Sequence, residues 1–203
     1  LLPLPARQQD RAGTVLGRAF EFDPLWTGIF PDPDRRPALL VAMFTAVTAA
    51  TIAAEGVAET TPGADAVALW LPPGRDLRLR SLLSSRFALP RFVMRLDAPE
   101  RRRMMAVLRR LGRRKKDLMP DPHWYLSAVG VIPERQHRGL GSSLVRSGIS
   151  RADRDGVAVY LETETEANVR FYEHLGFEIR EQITAAGLGI PVWSLVREPA
   201  AQE

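Results

Sequence analysis

The apolar positions of this chain follow two periods, and the change from one to the other predicts the order of its elements. An amphipathic helix is expected between Gln8 and Phe20. Next comes DPLWTGIFPDPD, a Pro- and Asp-rich loop carrying Trp26 and Phe30, of the kind that often lines a pocket. Asp32 and Asp34 open a helix through about Ala50. GVAET and AVALWLPPG then read as two strands that could pair as a hairpin, the second ended by Pro72, Pro73 and Gly74. A short helical piece is expected over 77–89. Asp97 is a plausible cap for another helix with Pro99 in its first turn. On that helix Met104, Val107, Leu108 and Leu111 share one face and arginines cover most of the rest.

From His123 onward the pattern alternates strand and helix. WYLSAVGVI is a strand, PERQHRGLGSS a glycine-containing loop, and Leu144 to Ala152 a helix stopped by Gly156. VAVYLETE is a strand, Glu166 to Leu175 a helix closed by Gly176, and FEIREQI and VWSLVRE are two more strands. No repeat or low-complexity linker interrupts the series, so residues 1–203 are read as a single α/β domain.

Composition narrows the chemistry. The chain has 203 residues and no cysteine, which excludes disulfides, thiolate metal sites and a cysteine nucleophile. His123, His137 and His174 have no ligand spacing, so no metal is expected. The formal charge is +4, yet the basic residues crowd into Arg101 to Lys116, a stretch without an acid. No aromatic interleaves that run, which argues against stacking on single strands, and no nucleic-acid partner is expected. The uncharged stretch Pro37 to Ala54 is interrupted by Thr45, Thr48 and Thr51 and rich in alanine, so it is read as a buried helix and no membrane association is expected. LLPLPARQQ lacks the regions of a signal peptide, and the cytoplasm is the expected compartment.

The most informative segment is Gln136-His137-Arg138-Gly139-Leu140-Gly141, between a strand and a helix. Free backbone N–H groups and the positive end of a helix dipole meet there, which makes a cradle for a diphosphate. Side chains at Gly139 or Gly141 would keep phosphate oxygens from the amides. Arg138 can add charge from the rim. A Walker loop is excluded because Gly-Lys-Ser/Thr is missing, and the dinucleotide fingerprint because Leu144 stands where its third glycine belongs.

Q-x-x-G-x-G after a strand ending Val-Ile-Pro resembles the signature of the GNAT acyltransferases. Downstream, LETETEANVRFYEHLGFE resembles that superfamily's second signature, and the two together span an acetyl-CoA region of about 123–183. From Asp65 to Pro199 the chain resembles, more narrowly, puromycin N-acetyltransferase and its actinobacterial relatives, and hence antibiotic-resistance enzymes. The basic helical stretch of about 97–119 has no counterpart there. This resemblance implies a central, mostly antiparallel mixed sheet of six to seven strands, splayed at the middle and flanked by helices.

It implies acetyl-CoA as the acetyl donor. Backbone groups of Ser127 to Val131, with Val129, Gly130 and Val131 foremost, would meet the pantetheine arm, and an N–H near Val131 the thioester oxygen. Gln136, His137, Arg138, Gly139, Leu140, Gly141, Ser142 and Ser143 would hold the diphosphate, although the two serines are equally read as helix caps. Asn168, Phe171 and Tyr172 lie on one helix face suited to the pantetheine, with Tyr172 as the acid that protonates the departing thiolate and Phe171 equally readable as core. Alternation puts Tyr160, Glu162 and Glu164 on one strand face. Glu162, matching a glutamate of the resembling enzymes, is the candidate base, with water or His123 as alternatives. Trp26, Phe30, Trp70, Trp124 and Trp193 are candidates for walling an acceptor site, or for the core.

The leading reading is direct acetylation of a small-molecule amine by a monomer or homodimer. Two others stay open: acetylation of a protein amine, with the arginine-rich helix docking an acidic surface, and a non-catalytic acyl-CoA-binding module.

Overall fold

The computed structural model describes residues 1–75 and 88–200. Its seven strands form one sheet in the order β1-β2-β3-β4-β5-β7-β6: β1 Leu2–Pro3, β2 Val57–Thr60, β3 Ala66–Leu71, β4 Trp124–Val131, β5 Val159–Thr163, β6 Glu178–Thr184 and β7 Pro191–Arg197. Every pair is antiparallel except β4 with β5. The expected mixed sheet, and the hairpin of β2 with β3, are therefore present.

Helices cover both faces. On one lie α1 Gln9–Ala19, α2 Pro24–Ile29, α3 Arg36–Ala53, α4 Ala88–Arg95 and α5 Ala98–Leu118; on the other lie α6 Leu140–Asp155 and α7 Glu166–Glu173. A strand covered on both sides should be apolar without interruption, and β3, AVALWL, is buried at all six positions. Its Val67 and Leu69 enter the core under α1 and α3, while Ala66, Ala68 and Trp70 enter the core under α6. Trp70 is fully buried because α6 offers a glycine to its ring: a Cβ on Gly148 would sit 2.1 Å from Trp70 Cζ2.

α3 is long and apolar enough to cross a membrane by length and composition, but its Leu40, Phe44, Ala46 and Ala50 are buried in the domain core. α5 starts as the sequence implies. Asp97 accepts from the Glu100 N–H at 2.7 Å, and the Glu100 carboxylate accepts from the Asp97 N–H at 2.9 Å, completing a capping box worth about 1 kcal/mol.

Two boundaries differ from the sequence expectation, and a third element is described only in part. DPLWTGIF is largely helix α2, because the Asp23 side chain accepts from the Leu25 and Trp26 N–H groups at 3.0 and 3.4 Å and Pro24 supplies a helical φ. The helix expected from Leu144 begins at Leu140, because Gly139 takes a left-handed φ of 76° and turns the chain directly into it. Of the helical piece expected over 77–89, residues 77–87 lie outside the described residues and the last two begin α4.

Candidate active site

The site originates in a parting of strands. β4 and β5 pair only at Trp124↔Val159 and Tyr125↔Tyr160. Beyond Tyr125 the two diverge, and among the described residues the β5-facing edge of β4 from Leu126 to Val131 has no strand partner. Backbone polar groups so exposed need a partner from elsewhere. On its other edge β4 is held by β3 through Val131, with a register shift opposite Leu69 and Trp70.

A cavity of about 1590 Å³ opens from this cleft, more than the roughly 300–1,000 Å³ usual for one small ligand. One end is built from backbone. Gln136, His137, Gly139, Leu140, Gly141 and Ser142 line it. His137 and Gly139 both have positive φ, at 59° and 76°, so the turn is tightly coiled before α6. No side chain caps α6, and the Ser143 N–H already donates to the Gly139 carbonyl at 3.0 Å, which leaves the amides of the first helical residues to an incoming anion. The Gln136 side-chain amide donates to the Val131 carbonyl at 3.2 Å and ties the turn to the end of β4. A Cβ at Gly139 would meet nothing within 4 Å; the space beside it is open. Arg138 and Ser143, by contrast, are exposed and do not line the cavity.

Val129, Gly130 and Val131 line the middle of the cavity from β4, and Asn168, Phe171 and Tyr172 from α7. Thr165 caps α7 by accepting from the Asn168 N–H at 3.2 Å. Tyr172 is nearly buried, with its ring against Phe171 and Phe177 at 5.0 and 5.6 Å. Its hydroxyl has no hydrogen-bond partner among the described residues. Burial, and then the negative charge of Glu164, hold the phenol above its ordinary pKa, so it keeps its proton at neutral pH.

At the other end lie carboxylates and an apolar wall. Glu162 accepts from the Tyr125 hydroxyl at 2.9 Å and from the Tyr160 hydroxyl at 3.0 Å. Burial raises its pKa; the two phenols and the charge of Lys115 act the other way. Lys115 reaches from α5 to sit 4.2 Å from the centre of the Tyr125 ring. Glu164, just past β5, and Asp23, the cap of α2, line the same cavity.

Of the five candidate aromatics only Trp26 lines the cavity. Phe30 is fully buried behind it, stacked on Trp26 at 6.1 Å. Trp70 is in the core under α6. Trp124 packs there too, its indole donating to Asp155 at 2.8 Å, and Trp193 is half-buried against the same cluster. The wall is made instead by Phe44, Phe92, Met104, Val107, Leu108 and Leu111 beside Trp26. The α5 stripe was visible as an apolar face; what it faces is the cavity as well as the core. Phe44, Phe92 and Asp23 carried no signal of their own, since nothing local to them indicates a pocket.

A sheet split between β4 and β5, with a glycine turn leading into a helix at the split, defines an acyltransferase fold of the GNAT type. Residues 104–177 match the family model described as acetyltransferase (GNAT) family. An uncharacterised N-acetyltransferase of Schizosaccharomyces pombe is 29% identical over 97% of this chain and 82% of its own length. A Corynebacterium glutamicum crystal structure, described as histone acetyltransferase HPA2 and related acetyltransferase, superposes with a TM-score of 0.70 at 25% identity, covering 99% of this chain and 96% of that one. The polyamine N-acetyltransferase of Drosophila melanogaster shares the fold, with a TM-score of 0.61 at 14% identity over 97% of both chains. The fold is that of the GNAT acetyltransferases, and these matches support an N-acetyltransferase. Enzymes of this family use acetyl-CoA and act on amine acceptors.

Proposed function

We propose that this enzyme transfers an acetyl group from acetyl-CoA directly to a primary amine of a small molecule, with both substrates held at once. The observation that carries the reading is a single cavity lined together by the amide cradle before α6, by carboxylates at β5 and by Tyr172 of α7. The open space beside Gly139 and the unspent amides of α6 fit a diphosphate. The unpaired edge of β4 fits an amide-bearing pantetheine arm. Acetyl-CoA supplies an activated acetyl group as a thioester.

The protein's part is positioning and proton handling. Amides of Leu140, Gly141 and Ser142 receive the diphosphate, and Ser127 to Val131 align the arm, with an N–H near Val131 donating to the thioester oxygen as negative charge grows there. Tyr172, protonated at neutral pH, donates to the departing sulfur. Such acid catalysis contributes about 10²–10⁴-fold, and alignment of the two reactants several kcal/mol more. A β5 carboxylate takes up the proton that the amine must lose; Glu162 is the residue suggested by the family resemblance. With no cysteine in the chain, an acetyl-thioester on the enzyme is ruled out.

The apolar lining by Trp26, Phe44, Phe92 and Leu111 favours a small molecule with an apolar body over a protein surface. Puromycin-like aminonucleosides are the most specific acceptors suggested by the sequence resemblance. We further propose that the chain acts as one domain in the cytoplasm, as a monomer or homodimer. The test is thiol release from acetyl-CoA with a panel of amines that includes puromycin and amine-bearing peptides, each product identified by mass spectrometry. Amine-dependent release with an N-acetylated small molecule is expected. Release with peptides alone, or acetyl-CoA binding without turnover on any amine, would overturn the reading.

A further inference from the structure

β4 and β5 part immediately after one pair of tyrosines. Tyr125 and Tyr160 are partners in the last rung of the ladder, and their hydroxyls meet on one carboxylate two residues further along β5, that of Glu162. We infer that Tyr125 and Tyr160 are positioning residues that hold Glu162 charged and in one orientation where the cleft opens. This rests on the acetyltransferase reading above, in which Glu162 is the residue that receives the proton of the amine.

The donors and acceptors fix the direction of each bond. A phenol has one O–H to give, and each carboxylate oxygen has two lone pairs to receive it. Tyr125 donates to Oε2 at 2.9 Å and Tyr160 to Oε1 at 3.0 Å. Each oxygen is therefore held once and keeps a lone pair for an incoming group. Because the Tyr160 proton is committed to Glu162, the Ser194 hydroxyl 3.1 Å away is the donor in that contact. Ser194 of β7 and Tyr160 are both buried. The series from Ser194 through Tyr160 to Glu162 thus runs out of the core, and hydrogen bonds in series strengthen one another.

The two tyrosines stand differently toward the cavity. Tyr125 lines it, its ring centroid 5.8 Å from that of Tyr160. Tyr160 does not line it, so it reaches the reaction only through Glu162. Glu164, one residue past β5, lines the same cavity but has no hydrogen-bond or ion-pair partner among the described residues. Of these two acids only Glu162 is held in place, and a base has to be held within reach of the proton it takes.

Neutral donors suit that task. An arginine would hold the carboxylate as firmly, but its permanent charge would keep the proton away. Burial raises the pKa of Glu162, and the two phenols and then the charge of Lys115 act the other way. Burial first, and then the charge of Glu162, hold both phenols above their ordinary value, so they stay donors at neutral pH.

Other ionisable groups surround this set. Lys115 comes from α5, 4.2 Å from the centre of the Tyr125 ring. The His123 ring lies edge-on to Tyr160 at 5.9 Å. Glu164 feels the charge of Glu162 and of Asp23, the cap of α2. Glu181 of β6, which acts on Tyr160, accepts from Arg114 of α5 at 2.9 Å. A change of tyrosine to phenylalanine leaves all of them in the chain.

The test is the titration of Glu162 in the full chain, followed by carbon-13 NMR with glutamate labelled at its carboxyl carbon and the signal assigned by its loss in Glu162→Gln. Tyr125→Phe and Tyr160→Phe keep the rings, and each is expected to move the midpoint upward, because a hydrogen bond to the charged form is lost. Ser194→Ala is expected to move it the same way by less, and it serves if a phenylalanine variant folds poorly. Thiol release from acetyl-CoA is then measured against pH with puromycin, or another amine of the panel that turns over. In both phenylalanine variants kcat/KM is expected to fall by about tenfold on the acid limb and by much less on the plateau, whereas a merely structural role would lower it alike at every pH. The inference is overturned if Glu162 titrates as in the wild type in both phenylalanine variants, or if its midpoint moves downward. Midpoints that rise while the rate profile keeps its acid limb would remove Glu162 as the base and leave the tyrosine clamp standing.

Discussion

The two ends of the cavity are built by different rules. The proposed diphosphate end is local: one turn, Gln136 to Gly141, supplies its amides from neighbouring backbone. The proposed acceptor end is assembled from Asp23 and Trp26 at α2, Leu108 and Leu111 on α5, and Glu162 and Glu164 at β5, segments the fold brings together across most of the chain. A local site is robust to changes elsewhere and recognises a constant chemical group. A site gathered from distant segments can change its ligand through any one of them. Substitutions at the two ends should therefore separate cleanly, the first group acting on acetyl-CoA and the second on the amine.

The largest separation is expected from Tyr172→Phe. Loss of the proton donor should lower kcat by about 10²–10³-fold, while acetyl-CoA affinity measured by calorimetry stays within about twofold. Next is Gly139→Val. A β-branched residue at φ 76° is strained, and its side chain would fill the open space beside the amides. Acetyl-CoA should bind about a hundredfold more weakly, with the KM for the amine nearly unchanged. Trp26→Ala should do the reverse, raising the amine KM by about tenfold through lost contact with little effect on acetyl-CoA.

A smaller effect concerns stability. The ordinary pKa of Asp23 is 3.8, and in the fold it is about 6. Because the folded value is raised, the native state binds the proton more tightly, and this contribution is complete below pH 3.8 and lost as pH rises through about 6. Asp23→Asn removes that loss, so the free protein's Tm should rise relative to wild type at pH 8 and by less at pH 5 in thermal unfolding. The smallest effect is expected on the exposed face of α5: Arg109→Glu with Arg110→Glu should leave acetylation of small amines within about twofold, since neither side chain lines the cavity.

What could be read from the sequence follows the same division. The turn at Gly139 was legible because a glycine demanded by positive φ and a helix start lie within a few residues of each other. Tyr172 and Asn168 were legible because helical spacing alone puts them on one face. Trp70 and Trp124 were not distinguishable from wall residues, because a tryptophan's size says nothing of direction; the glycine that receives Trp70 lies on α6, in a later part of the chain. Phe44 read as part of a buried helix and Asp23 as part of a loop, and Phe92 lay in a stretch with no sequence reading; only the folded chain brings the three to one cavity. Glu164 shared a strand face with Glu162, yet its lack of partners depends on Tyr125, Tyr160 and Lys115, which take the other acid.

The claim that both substrates occupy the cavity together is tested most directly by initial rates of thiol release, with acetyl-CoA varied at several fixed amine concentrations and the intact enzyme weighed by mass spectrometry after mixing with acetyl-CoA alone. Lines that intersect in double-reciprocal form, and an enzyme of unchanged mass, are expected. Parallel lines with an acetylated enzyme would contradict it.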